Sequence, residues 1–98
     1  MISRDGNLLR ITSAMTMETV GALLETGAAV IGNNDAEFDL SAVPEVDSAA
    51  LSLMFEWMRR AAARNQKIFF FNLPHSLVSL ATLYGVLEMI PQRAAASH

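Results

Sequence analysis

Hydrophobic and polar positions change period several times along the 98-residue chain, and each change marks an element. Met1–Arg4 and Leu8–Ser13 flank Asp5-Gly6-Asn7. In the second run Leu9 and Ile11 share one side with Leu8 opposite, the alternation of a strand. Glycine between the runs supplies the positive φ of a tight turn, so an antiparallel opening hairpin is predicted. From Thr16 to Ile31 the period becomes helical, with Met17, Val20, Leu24, Ala28 and Ile31 stepping by three and four. Thr16 is the expected N-cap, Glu18 suits the positive end of the helix dipole, and Gly32-Asn33-Asn34-Asp35 has the composition of a turn.

Alternation returns at Glu37–Val43, where Phe38, Leu40 and Ala42 oppose Asp39 and Ser41, and Pro44–Asp47 reads as a loop. A second helix is predicted from Ser48 to about Arg64, with Leu51, Met54, Phe55, Met58 and Ala62 as its core stripe. Lys67–Leu73 is nearly unbroken in its hydrophobicity, which suggests a strand covered on both faces or a central one. Pro74-His75-Ser76 opens a third helix with Leu77, Leu80, Ala81 and Tyr84 inward and Gly85 as its C′ residue. Val86–Ile90 is a candidate last strand. The order ββαβαβα implies an α/β single domain: an opening β-hairpin, then βα units forming a mixed sheet with helices packed against it. The domain is expected to span residues 1–92, with the small-residue stretch 93–98 as a disordered tail.

Composition narrows the chemistry. Without cysteine there are no disulfides, thiolate metal sites or thiol nucleophiles. A net charge of −3 offers no basic footprint for nucleic acid or anionic lipid. The start of the chain lacks the apolar core of a secretory leader, and no run approaches the roughly 20 apolar residues of a membrane span. A cytoplasmic protein without direct membrane insertion is expected. No phosphate loop, dinucleotide fingerprint, zinc-protease or serine-hydrolase motif occurs, so no enzyme, catalytic residue or cofactor is expected. His75 at a helix start reads as solvated, and Asp39, Glu45 and Asp47 read as a solvated acidic loop rather than metal ligands.

One segment stands out: Asp39-Leu-Ser-Ala-Val-Pro-Glu-Val-Asp47-Ser48-Ala49-Ala50-Leu51, where a strand and a loop lead through an Asp-Ser step into a helix. An N-cap worth ~1 kcal/mol accounts for that step by itself. Along the same helix Ala49, Leu53 and Trp57 fall beyond the core stripe, with Glu56 and Arg60 beside them. Either other elements cover Trp57, or these residues form an apolar patch rimmed by charge, the mark of an interface.

Asp39-Leu40-Ser41, Val43, Val46-Asp47-Ser48 and Leu51 together resemble the signature of the STAS family, the sulfate-transporter and anti-sigma-factor-antagonist domains. The element order agrees over nearly the whole chain, although Ala49-Ala50 stands where the family often has Ser-Gly or Gly-Gly. Leu77–Val86 is similar to the third-helix stretch of the STAS subunit of the maintenance-of-lipid-asymmetry ABC transporter of Gram-negative bacteria. The second resemblance implies a non-enzymatic accessory subunit that binds and regulates the ATPase of a phospholipid-transporting ABC complex, peripheral to the inner membrane through that partner. Ser48 would then be a contact, and Asp47, Ala49, Leu53, Trp57 and Arg60 the partner-binding face. The first implies an alternative: an anti-sigma-factor antagonist in which a serine kinase phosphorylates Ser48 in a partner-switching pathway. Self-association stays open.

Overall fold

The computed structural model describes residues 2–31 and 35–93. Strands β1 (Ile2–Asp5) and β2 (Leu8–Ile11) form the opening hairpin, with Asp5 opposite Leu8 and Ile2 opposite Ile11. Its two-residue turn is Gly6-Asn7, one step later than the Asp-Gly pair, and Gly6 carries the positive φ of 63° that a side chain would resist. Helix α1 (Val20–Ile31) leads to β3 (Ala36–Asp39), α2 (Ser48–Ala63) to β4 (Ile68–Phe71), and α3 (His75–Leu83) to a single 3-10 turn at Leu87–Met89. The strand order is β1-β2-β3-β4, antiparallel in the first pair and parallel in the other two.

The register explains the layering. Leu9, Phe38 and Phe70 stand side by side across three strands and are all fully buried, so one face of the sheet carries the core. Leu23 and Val30 of α1, Met54 and Trp57 of α2, and Leu77 and Ala81 of α3 pack on that same face. The other face carries Arg10, Asp39 and Phe71 in one row and Leu8, Glu37 and Phe69 in the next. Polar groups there pair with each other: Arg10 Nε donates to Asp39 at 3.2 Å, Asn72 to Asp39 at 3.2 Å, and Arg93 to Glu37 at 2.8 Å while lying 3.7 Å over the Phe69 ring.

Several expectations need correction. Trp57 and Leu53 are core residues, 0% and 4% exposed, and do not form a surface patch. The buried stripe of α2 runs through Ala50, Leu51, Leu53, Met54, Trp57 and Ala61, while Phe55 and Met58 are half-buried and Ala62 is exposed. The predicted stripe is rotated from the true one because α2 is covered by α1 on the Trp57 side. There the indole stacks on Phe38 with centroids 4.3 Å apart, and its Nε1 donates to the Leu24 carbonyl at 3.3 Å. In α1 the buried positions are Leu23, Gly27, Val30 and Ile31, whereas Met17 precedes the helix and is 76% exposed.

The third strand stops at Asp39, short of Val43, because the Asp39 carboxylate accepts from Ser41 N at 2.9 Å and turns the chain, leaving Ala42 exposed. The fourth strand is the last of the sheet rather than central, although its outer edge is met by the segment around Gln92. Val86–Ile90 is no strand: Val86 N is spent on the Ala81 carbonyl and Gly85 N on Thr82, a Schellman close to α3. Pairing with Phe70 comes only at Pro91 and Arg93. Arg93 thus belongs to the folded body, and the rest of the expected tail lies outside the described residues, as does most of the Gly32–Asp35 turn.

A Cβ at Gly27 would sit 2.5 Å from the Trp57 ring, which has no room to retreat. Gly27→Ala is therefore expected to lose about 2 kcal/mol in urea unfolding despite the better helix propensity of alanine. Burial pushes the Asp39 carboxyl up, but bonds from Ser41, Asn72 and Arg10 together outweigh it and hold the pKa below its ordinary 3.8. The folded value lies under the unfolded one, so this stability is present above about pH 4 and lost as pH falls through the folded value. The stability of Asp39→Asn should lie below wild type at pH 7, and the difference should shrink as pH falls below the ordinary carboxylate range, through the folded value.

Candidate functional site

Strands β2 and β3 run parallel, so the loops leaving their C-terminal ends emerge side by side, the position at which α/β sheets present their sites. Those loops are tied to each other. Met15 N donates to the Glu45 carbonyl at 2.9 Å, Asp47 N to the Met15 carbonyl at 3.3 Å, and Met15 pairs with Val46 as an isolated parallel bridge. The Thr19 hydroxyl donates to the Ala14 carbonyl at 2.7 Å and accepts from Thr16 N at 2.9 Å. It is Thr19, rather than the expected Thr16, whose side chain organises the entry to α1.

Asp47 completes the tie. It is the N-cap of α2, with extended backbone, and one carboxylate oxygen accepts from Ala49 N at 2.8 Å. The other accepts from Met17 N at 3.0 Å, across thirty residues of chain. One side chain thus holds the first turn of α2 and the approach to α1. Ser48, the next residue, is exposed at the head of α2.

From that head a groove of about 680 Å³ extends over α2. Ser48, Ala49, Ser52, Phe55 and Glu56 lie along its floor, Met17, Val20 and Leu24 form one wall, and Tyr84 and Val86 the other. The lining is mostly apolar. Among the described residues its one charged group is Glu56, which accepts from Arg59 and Arg60, and these two partners lower its carboxyl to about 2.

The residues singled out from the sequence separate in space. Asp47, Ser48 and Ala49 gather at the head of the groove. Leu53 contributes a buried edge, Trp57 lies wholly beneath, and Arg60 stands three turns away, about 18 Å along the helix axis, bound to Glu56. The sequence pattern does not mark Met17, Val20, Leu24, Ser52 and Tyr84 as site residues, and the helical spacing assigns Met17 and Tyr84 to core stripes although both are exposed. Asp39, Glu45 and Asp47 are not the solvated loop expected: Asp39 is buried and bonded to Arg10 and Asn72 on the sheet face away from the helices, Asp47 is committed to the loop tie, and only Glu45 is exposed. No cluster of three metal-ligating side chains forms among the described residues.

A family model described as "Mlab, STAS domain" matches residues 2–91. No curated protein sequence matches the chain. Among solved structures, the chain is similar to the anti-sigma factor antagonist SpoIIAA in its unphosphorylated form, with TM-score 0.70 and 12% identity over 100% of this chain and 88% of that one. It is also similar to an anti-sigma-factor antagonist (STAS) domain protein from Planctomyces limnophilus, with TM-score 0.75 and 14% identity over 99% and 90% of the two chains. At these identities the likeness is one of fold.

Truncating the tie tests its weight. Asp47→Ala removes a cap and a bond between loops and should cost about 2 kcal/mol in chemical unfolding. Asp47→Asn, which keeps one acceptor oxygen, should recover part of that loss.

Proposed function

The chain belongs to the STAS domain family, and on that premise we propose that it is a non-catalytic binding subunit that docks the head of α2 on the cytoplasmic ATPase of a phospholipid-transporting ABC complex. The observation that carries this reading is the placement of exposed Ser48 at the mouth of an apolar groove, on a helix start held rigid by Asp47. The description of the matching family model and the Leu77–Val86 resemblance favour the transporter partner.

Asp47, Ser48 and Ala49 form the contact edge, with Arg60 at its far end. Leu53 and Trp57 support the face from below rather than touching the partner. Binding more tightly to one state of the ATPase than to another would shift the population of those states and so regulate transport without chemistry in this chain. None of the described helices is long and apolar enough to cross a membrane. The protein would reach the inner membrane through its partner.

A second reading has its own support, since the solved structures of similar fold include anti-sigma factor antagonists. In that reading a serine kinase phosphorylates exposed Ser48. The modification adds about −1.5 to −2 charges beside the Asp47 carboxylate, which opposes it, and at the edge of an apolar partner face, which it would disrupt, releasing a bound anti-sigma factor.

Ser48→Arg separates folding from docking, because the side chain is exposed and a cation at a helix N-terminus costs only about 0.3–1 kcal/mol. The tagged wild-type chain, solubilised gently from host membranes, is expected to retain an ABC ATPase and its permease, and the Ser48→Arg chain to lose them while still melting cooperatively at a slightly lowered temperature. Undiminished recovery with Ser48→Arg would remove this face from the interface. A Ser48 phosphopeptide in the same preparation, with an anti-sigma factor in place of the ATPase, would establish the second reading instead.

A further inference from the structure

We infer that the groove over α2 receives an amphipathic helix of the protein partner, with its lysine or arginine side chains concentrated over the head of α2; this rests on the docking reading above and specifies the partner's chemistry.

The shape of the groove selects a helix. Its floor runs from Ser48 to Glu56, about 12 Å of helix rise, which matches the two turns spanned by apolar anchors at i, i+3, i+4 and i+7. Large apolar side chains stand in solvent on opposite sides, Met17 76% exposed and Tyr84 57% exposed, with half-buried Val20 and Leu24 continuing the Met17 wall and half-buried Phe55 on the floor. An extended peptide would gain little here. Strand addition draws its affinity from unpaired backbone groups at a sheet edge, and the floor of this groove is a helix whose backbone is already internally bonded.

Charge gives the occupant a direction. Between Arg10 and Arg59 the chain contains no lysine or arginine, and that stretch builds α1, both tied loops and the groove floor. Exposed Glu18 follows Met17, whose N–H the Asp47 carboxylate holds, and exposed Glu45 lies in the loop pinned to Met15, so both acidic residues sit on the backbone segments tied to the head of α2. Along α2 the cations gather towards its other end, at Arg59, Arg60 and the C-cap Arg64, where the first two engage Glu56. A partner helix with basic residues over the head complements this arrangement, and one with acidic residues there is repelled.

The test uses the complex recovered with the tagged full-length chain. A photo-crosslinking benzoylphenylalanine replaces Tyr84 in one preparation and Ser52 in another, and the joined partner peptide is sequenced by mass spectrometry. The expected peptide has apolar residues at helical spacing and two or more lysines or arginines towards one end. In the same complex, Glu18→Lys combined with Glu45→Lys should raise the dissociation constant about tenfold in low salt, with the difference shrinking at high salt as screening takes over. A joined peptide without basic residues or helical spacing, or a charge-reversed chain that binds as wild type, would overturn the inference. Continued sensitivity to Ser48→Arg would then leave the docking reading standing. Crosslinks absent from both groove positions, in a complex that also tolerates Ser48→Arg, would overturn both.

Discussion

The indole of Trp57 sits between a strand and a helix, and the placement of the other layers follows from it. On one side it stacks on Phe38, which lies in the middle of the core-facing row Leu9, Phe38 and Phe70. On the other it meets Gly27, where any side chain would collide with the ring. A bulky ring on α2 and a bare backbone on α1 let the two helices approach closely while the indole N–H finds the Leu24 carbonyl. A buried aromatic with a polar atom needs such a partner, so the contact fixes position as well as distance. The closeness of α1 also brings Val20 and Leu24 alongside the first turns of α2 as a wall of the groove.

The same contact explains which parts of the fold the sequence disclosed. Element types followed from period and punctuation: alternation in the hairpin, three-and-four spacing in the helices, and Gly85 at the close of α3. The rotation of α2 did not follow, because it carries apolar residues on more than one side and periodicity alone leaves several stripes open. The choice among them was made by Gly27, thirty residues upstream of Trp57, whose bare backbone leaves the indole its place between α1 and the sheet. The end of β3 departs from the hydrophobic alternation for a local reason. Asp39 turns its carboxylate onto the backbone of Ser41 and ends β3, although the hydrophobic alternation runs on.

The candidate site was half legible. Asp47 and Ser48 were recognisable because a cap and the residue after it are neighbours in sequence as well as in space. The groove beside them was not, since its walls come from α1 and from the exit of α3, and only folding brings them together. Met17 and Tyr84 show why. Each continues the apolar spacing of its helix, but Met17 precedes α1 and Tyr84 is the C-cap of α3, so both sit where the helix no longer faces the core. A hydrophobic residue at a helix boundary has the composition of a core position and the geometry of a surface one.

Asp47 links the two halves of the site mechanically. Its carboxylate holds the backbone that presents Ser48 and, through Met17 N, the backbone that positions one wall of the groove. Any event that displaces the carboxylate therefore reaches both. A phosphate on Ser48 would place added negative charge beside an anionic side chain whose two oxygens are already committed to N–H donors. The easiest relief is for the carboxylate to leave one donor, and Met17 N is the one outside the helix that Asp47 caps. A partner that seats on unmodified Ser48 leaves the tie intact and finds the wall in place. The two functional readings thus use one device in opposite senses: docking keeps the loops fastened, and modification unfastens the wall against which a partner helix would rest.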